Sequence, residues 1–421
     1  MKRLRVIYDG WGENFELGLL ADDGRQLLFE YTPAALERGL QLSPFRLALQ
    51  PGARGDFPRH QQRLPGLVSD SLPDGWGMLL MDRLFRQRGI EAHEVSPLDR
   101  LAVIGRRAMG ALVYLPESEA PLATAGIDLH TIADEVVEVM SGESEPVLRE
   151  LLLMGGSPHG ARPKVLVNVD GNRIWNVEDA PGQPWLVKFP AQTEHAEVCA
   201  VEALYADLLR DAGLAIPATR YFDLGRSGSA FGIERFDRCD GERVPVHTAA
   251  GVAHADFRLP ELDYANLLRL VRFVSRDMRE VERAFERCVF NVVFNNRDDH
   301  SKNFSFRMDR DEQWRVSPAY DTSFNTGPAG EHQMDICGEA RTPGREHLLK
   351  LAELSGLNRS TAAQTIERIA EVAGQISARA ARYPIRSATL GTLVKTIESN
   401  RARMGAGAAV RRAPARPRTK R

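Results

Sequence analysis

Two apolar runs, Phe290-Asn291-Val292-Val293-Phe294 and Phe304-Ser305-Phe306, bracket a segment in which every side chain is polar: Asn295-Asn296-Arg297-Asp298-Asp299-His300-Ser301-Lys302-Asn303. Apolar segments seek the interior and carry whatever lies between them to its edge. A polar segment between buried runs belongs more often to a site than to a solvated bulge. Within it, Asp298 and Asn303 stand five apart as D-x-x-x-x-N. Phosphoryl-transfer sites use that spacing, the aspartate accepting a hydroxyl proton and the asparagine oxygen binding Mg²⁺. Chance alone produces the pattern often. A later stretch adds to it: Val316-Ser317-Pro318-Ala319-Tyr320-Asp321 reads as a strand-like approach to one aspartate, eighteen residues past Asn303, where a second Mg²⁺ ligand is needed. Few, hard oxygen ligands suit Mg²⁺ carried with ATP.

The segments upstream fall in a matching order. After a helix ending near Leu153 comes Gly155-Gly156-Ser157-Pro158-His159-Gly160-Ala161-Arg162-Pro163-Lys164, then an apolar run over 165–169, an Asp170-Gly171-Asn172 turn and Ile174-Trp175-Asn176-Val177. A glycine-rich loop feeding a hairpin lets the backbone at Gly155, Gly156 and Gly160 approach phosphate oxygens; a mere helix C-cap and connector is the alternative. No Gly-Lys-Ser/Thr follows, which disfavours a Walker-type P-loop. Trp185-Leu186-Val187-Lys188-Phe189-Pro190 is a short apolar strand with one lysine. From there Lys188 would reach the α- and β-phosphates, unless it snorkels to water from a sheet edge. A charge inside an apolar run needs a partner. The helix expected over 197–213 turns Val198, Val201, Leu204, Leu208 and Leu209 to one face, and Glu202, close to that face, is the candidate carboxylate. Phe231-Gly232-Ile233-Glu234-Arg235-Phe236-Asp237-Arg238 runs from apolar strand into charge, as a hinge between two lobes or as a plain surface strand. Each piece is ambiguous singly. Their joint order is that of a kinase-like fold.

Composition restricts the remaining classes. With 421 residues, 43% hydrophobic and 27% charged, collagen-like, disordered and membrane-embedded readings are set aside. The length favours two or three domains with room for a cleft between lobes. Lys+Arg 55 against Asp+Glu 57 gives a formal charge of -2, so a nucleic-acid role would be local or borrowed from a partner. Cys199, Cys239, Cys288 and Cys337 form no CxxC pair and read as buried thiols in a reducing compartment. The N-terminus lacks the apolar stretch of a signal peptide, and no window approaches the ~20 apolar residues of a membrane helix. A cytoplasmic location is expected by elimination.

The chain opens with Leu4, Val6 and Tyr8, then Phe15, Leu17 and Leu19, alternating about an Asp-Gly turn as a hairpin does. Ser71-Leu72-Pro73-Asp74-Gly75-Trp76-Gly77 is a Pro/Gly loop ahead of a helix, either a docking element or a turn that seats Trp76 in the core. Ala108-Met109-Gly110-Ala111-Leu112-Val113-Tyr114-Leu115-Pro116 reads as a buried strand stopped by proline. Residues 117–145, richer in Ala, Glu and Ser, are expected to carry the chain from this module to the next. From Met404 the chain is Gly/Ala/Pro-rich, with Arg411, Arg412, Arg416, Arg418, Lys420 and Arg421 and no acid. It reads as a disordered basic tail, simply solvated or touching nucleic acid.

Taken together, these motifs resemble the HipA family of serine/threonine-protein kinase toxins from bacterial type II toxin–antitoxin modules. The resemblance covers roughly residues 1–400. Its most specific pieces are Leu72-Pro73-Asp74-Gly75-Trp76-Gly77, Met109-Gly110-Ala111-Leu112, Gly155-Gly156-Ser157 with Gly160-Ala161-Arg162-Pro163-Lys164, Glu234-Arg235-Phe236-Asp237-Arg238, and the 298–306 segment. It implies Asp298 as general base, Asn303 and Asp321 as Mg²⁺ ligands, and Lys188 as the ATP-phosphate contact paired with Glu202. The backbone from Glu234 to Phe236 would form the adenine hinge, with His300 and Lys302 also on the nucleotide. Ser157 matches a serine that family members phosphorylate on themselves, shutting the kinase down. Pro158 and His159 depart from the small residues usual in that loop. Further implications are an aminoacyl-tRNA synthetase as substrate and a helix-turn-helix, HipB-like antitoxin as partner, with DNA reached mainly through it and no membrane.

Two rivals remain: a small-molecule kinase of the aminoglycoside or choline type, which needs neither Ser157 nor the N-terminal module, and a catalytically silent co-repressor. The fold expected is α+β, an N-terminal β-rich module over 1–125 and a bilobal kinase-like body. That body divides into a nucleotide-binding lobe over 126–240 and a mainly helical catalytic lobe over 241–400, with the basic tail over 401–421. The helical assignment rests on 262–272, 281–293 and 361–381.

Overall fold

A computed structural model describes residues 2–141, 146–177 and 180–405. The fold is α+β, with three main sheets and a helical C-terminal half. The first sheet is antiparallel with strand order Leu27–Tyr31, Glu13–Asp22, Arg3–Gly10, Leu112–Leu115. The opening hairpin turns at Trp11-Gly12, both at positive φ, not at Asp9-Gly10, which stay in the strand. Two successive left-handed residues give a turn whose twist matches the strands. A register shift follows between Val6 and Ile7, opposite Gly18 and Glu16. It moves Leu20 rather than the expected Leu19 to the buried side, because one extra residue flips every later side chain.

The second sheet has six strands in the order Gly126–Ile127, Arg173–Trp175, Lys164–Asp170, Gln183–Lys188, Ser229–Glu234, Thr219–Asp223. The helix Glu197–Asp211 packs on it, with Leu204, Tyr205 and Leu208 fully buried. Residues 117–145, expected as a link, instead contribute the edge strand Gly126–Ile127 and the helix Leu129–Ser141, whose Ile132, Val136 and Val139 are buried. Alanine and glutamate are helix formers as well as linker residues, and the composition masked that spacing.

The third sheet, Val246–Thr248, Ser305–Met308 and Trp314–Val316, carries the polar segment into a helical lobe. Its central helix, Met278–Val293, buries Val281, Phe285, Cys288, Val289, Phe290 and Val293. Helices Tyr264–Ser275, Arg359–Ala373 and Ser387–Arg403 pack on it, and Arg345–Leu354 packs on the first two of these. The expected tail therefore starts too early: Ser387–Arg403 is helix and Met404 is 1% exposed. Residues 406–421 lie outside the described part. Cys199 and Cys288 are buried as expected, whereas Cys239 and Cys337 are half-buried; all four are free thiols.

Buried polar links join the first module to the rest. Asp70 accepts from His247 Nδ1 at 2.6 Å, Thr248 N at 2.7 Å and Thr248 Oγ1 at 2.8 Å, while His247 Nε2 meets Ser43 Oγ at 3.0 Å. A side chain at Gly66 would strike the Gly251 carbonyl, 1.9 Å from its Cβ, so the short helices Gly66–Ser69 and Ala249–Ala253 touch backbone to backbone. Asp237, wholly buried, accepts from Arg235 Nε and Nη2, from Arg238 Nη1 and from Gly110 N at 2.7–2.9 Å.

Removing one member of such a buried network leaves charges uncompensated, which costs about 3–5 kcal/mol. Asp237→Ala is expected to lower stability by that amount in urea denaturation of the full chain. A loss within a few tenths of a kcal/mol would show that solvent takes over the carboxylate's role.

Candidate active site

The cleft between the second sheet and the helical lobe is organised around one lysine. Lys188 ends the strand Gln183–Lys188, which lies between two neighbours and not at the sheet edge. Its ammonium cannot snorkel from there, and the residue is 7% exposed. Nζ instead donates to Glu202 Oε1 and to Asp321 Oδ1, each at 2.6 Å. Glu202 lies on the helix Glu197–Asp211, and its other oxygen accepts from Arg162. Burial would lower the lysine's pKa, but Asp321 and Glu202 outweigh it and hold it above the ordinary value. Burial would likewise raise Asp321; Lys188, Lys164 and Arg162 hold its carboxyl well below the usual range. Asp321 sits at φ +51°, a conformation non-glycine residues adopt only when the surroundings enforce it. In that conformation its carboxylate is paired with Lys188.

A second lysine was not singled out from the sequence. Lys164 stands directly opposite Lys188 on the adjacent strand, so both side chains leave the same face. Burial first, and Lys188 second, push its pKa down to about 8. Nζ donates to the His159 carbonyl in the glycine loop. Cross-strand register, which brings two lysines to one spot, has no signature in the linear sequence.

The glycine loop is fastened by the N-terminal module. Asp74 accepts from Gly160 N and, at 3.2 Å, from Lys302 Nζ. Trp76 N donates to Gly160 O at 3.2 Å, and His159 Nε2 meets the Leu72 carbonyl at 3.1 Å. Gly75 is required at this contact: at φ +41°, an added Cβ would lie 2.6 Å from Ala161 Cα. Both sequence readings of the Leu72–Gly77 motif thus hold at once, since Trp76 is 3% exposed while the motif docks on the loop. Burial pushes the His159 imidazole down to about 4, with Lys302 adding to it, so it is neutral at pH 7. Burial opposes ionisation of Asp74, yet His159, Lys302 and the Gly160 amide keep it well below the carboxylate range.

The site residues expected from the sequence do not all meet. A cleft is lined by Lys188, Glu234, Phe236, Lys302, Asn303, Asp321 and Ser157 together. Gly155 ends a helix, Gly156 N donates to Leu152 O at 3.3 Å, and Gly160 N is taken by Asp74. The amides of Gly156 and Gly160 are therefore already used, and a phosphate would reach Gly160 N only after Asp74 releases it. Glu234 N and Arg235 N are also used, by Ala218 O and Pro184 O at 2.8 Å, while Phe236 lies against Tyr320 with ring centres 5.4 Å apart. Ser157 is 0% exposed and its Oγ accepts from Met109 N at 2.7 Å.

In the polar segment the two adjacent aspartates part company. Asp299 is buried and accepts from Tyr264 OH at 2.7 Å, His332 Nδ1 at 2.8 Å and Gln333 N at 2.9 Å. It anchors the loop. Asp298 points outward, its side chain 44% exposed, with His300 Nε2 3.7 Å away. Surrounding protein mass raises its pKa, His300 opposes, and Asp321 adds to the rise. Asn303 Nδ2 donates to Asp298 O at 2.7 Å, which closes the segment on itself. Lys302 lies between Asp74 and the Phe257 ring, 4.3 Å from its centre. Among the described residues no cluster of three or more His, Cys, Asp or Glu could hold a metal by itself, and no helix is long and apolar enough to cross a membrane.

Comparison with known proteins places this geometry. Residues 156–376, more than half of the chain, match the family model described as HipA-like C-terminal domain, and residues 9–115 match the HipA N-terminal domain. A protein of Sinorhizobium fredii named as a candidate kinase, Y4mE, is 29% identical over 277 residues, 58% of this chain and 62% of that protein. The match thus spans under two thirds of the relative's length. Among solved structures, HipA of Shewanella oneidensis in complex with HipB and its operator DNA superposes with a TM-score of 0.70 at 18% identity, over 94% of this chain and 96% of that one. At that identity it speaks for the fold alone.

Asp74→Ala would free Gly160 N and Lys302 together. Hydrogen exchange over 156–161 is expected to speed up by tenfold or more, the equivalent of ~1.4 kcal/mol of lost protection, with the helix Met278–Val293 unchanged. Unaltered exchange in the loop would show that Asp74 does not fasten it.

Proposed function

This chain belongs to the HipA family, and on that footing we propose that it is an ATP- and Mg²⁺-dependent serine/threonine-protein kinase, the toxin of a type II toxin–antitoxin pair. The observation that carries the reading is Lys188 held at 2.6 Å from both Glu202 and Asp321, in the cleft that Asn303 and Phe236 also line. An ammonium fixed by a helix carboxylate, beside a late aspartate, is how a kinase presents charge to nucleotide phosphates.

In this reading the adenine lies against Leu186, Ile233 and Phe236, and Lys188 and Lys164 attract the phosphates. Asp298 takes the proton of the acceptor hydroxyl as its oxygen bonds to the γ-phosphorus; the bond from that phosphorus to the bridging oxygen breaks, and ADP leaves with the electron pair. Asn303 and Asp321 fit Mg²⁺: the amide nitrogen is committed to the Asp298 carbonyl, leaving its oxygen to ligate, and the Asp321 carboxylate is kept ionised by lysines. When bound, the ion would neutralise phosphate charge.

The protein acceptor is assigned as an aminoacyl-tRNA synthetase, from the family resemblance. The presence of HipB and operator DNA with the Shewanella relative supports a HipB-like antitoxin as partner, through which DNA is mainly reached. Ser157 is the self-phosphorylation site in this reading. Its hydroxyl is buried against Met109, so the loop must leave its seat first, and a phosphate added there would repel nucleotide and keep the loop out.

Intact and peptide mass spectrometry after incubation with Mg²⁺ and ATP is expected to show phosphate on Ser157. Asp298→Ala should slow its appearance by about 10²–10⁴-fold with unchanged folding, and Ser157→Ala should abolish the label while retaining nucleotide binding. No phosphate anywhere with ATP still bound would overturn the assignment in favour of a binding protein or a small-molecule kinase.

A pH profile gives a separate check. The base works deprotonated, and its pKa is raised, so kcat/KM should fall on acidification at a pH above the ordinary aspartate range. Asp298→Asn should lack that limb; an unchanged limb would assign the base elsewhere.

A further inference from the structure

Away from the cleft, one surface joins exposed aromatic rings to unneutralised charge. The helix Tyr264–Ser275 turns its apolar face inward, burying Leu267, Leu268, Val271 and Val274. Its outer face carries Arg269, Arg272 and Phe273, and its left-handed cap is Arg276. At this helix the N-terminal module presents Phe45 and Arg46. Phe45 and Phe273 meet edge to face with ring centres 5.3 Å apart, yet remain 42% and 51% exposed, and the Arg46 guanidinium lies 4.8 Å from the Phe45 ring centre. None of the four arginines makes an ion pair among the described residues; Arg46 donates to the Ala253 carbonyl and Arg269 to Asn266 Oδ1, both neutral. Elsewhere on this surface arginines commonly find carboxylates, as Arg359, Arg279 and Arg345 do.

From this we infer that the Phe45–Phe273 stripe is a docking surface for single-stranded nucleic acid. Arginines three and four apart on a helix sit about 5–6 Å from one another, close to the separation of successive phosphates on an extended strand. Exposed aromatic rings with arginine beside them are what unpaired bases stack on, whatever their sequence. A duplex hides its base faces and has no use for the rings. An acidic polypeptide would satisfy the arginines but leave the two rings without a specific role. The stripe spans the N-terminal module and the helical lobe, so a bound strand would bridge them. The chain's overall charge of -2 makes a cluster of four free cations local and directional.

Fluorescence anisotropy of the full chain with a labelled 20-nucleotide oligo-dT or oligo-rU, at several salt concentrations, tests this. Saturable binding is expected, weakened tenfold or more by Phe45→Ala with Phe273→Ala. The salt slope should fall by about 0.7 for each of Arg269, Arg272 and Arg276 changed to Ala, the value for one phosphate contact on a single strand. Nucleotide binding and melting temperature should be unchanged in these variants. Binding that survives all the changes, as binding by the arginine-rich segment 411–421 would, overturns the inference. Equal affinity for the duplex, equal competition by poly-glutamate, or no binding at low salt overturns it as well.

Discussion

The ammonium of Lys188 is the point on which the site depends. A buried cation needs neighbouring charge, and its two partners come from a helix of the sheet lobe and from a loop of the helical lobe. One interaction therefore ties the strand Gln183–Lys188, the helix Glu197–Asp211 and the segment at Asp321 to a single point. Without the lysine, Glu202 and Asp321 would be two carboxylates with Arg162 between them and no reason for the lobes to close at that distance. The same logic explains Lys164: a second cation directly opposite the first is tolerable only because Asp321 and the His159 carbonyl lie within reach.

Around that centre, three aspartates fasten the N-terminal module to the other lobes. Asp70 holds the Val246–Thr248 strand, Asp237 takes the Gly110 amide, and Asp74 takes the glycine loop and Lys302. Asp237 is buried and Asp70 and Asp74 are half-buried, each an acceptor at a junction where backbone N–H groups would otherwise go unsatisfied. The module is thus part of the site's construction, since it fixes where Gly160 points and keeps Ser157 against Met109. A loop held by hydrogen bonds to another module is also a loop that can be released, and the proposed self-phosphorylation requires that release.

Much of this was legible from residue order. The apolar runs flanking 295–303, the single lysine in an apolar strand and the glutamate beside a helix's apolar face each imposed a physical demand that the structure meets. The helices over 262–272, 281–293 and 361–381 followed from periodicity, although the last is interrupted after Ala373; the α+β arrangement followed from the order of the motifs and the resemblance they carry. Less was legible where composition and structure diverge. An Ala/Glu-rich stretch read as a link is a helix, and the opening hairpin carries an extra residue that reassigns its buried side. Asp298 and Asp299 are chemically identical neighbours; spacing picked the first, but their opposite environments come from Tyr264 and His332, which are distant in sequence.

What the sequence determined by itself is the inventory and the order: which charges sit among apolar residues, and so which must find partners, because desolvation is a property of the residue and its near neighbours. Only the tertiary structure decided who those partners are. Lys164 opposite Lys188, Asp74 on Gly160 and Phe45 against Phe273 are contacts between residues 24, 86 and 228 positions apart. Pairings of that kind depend on strand register and module docking, which are settled by the sum of all packing across the chain and leave no periodic trace in any one segment of it.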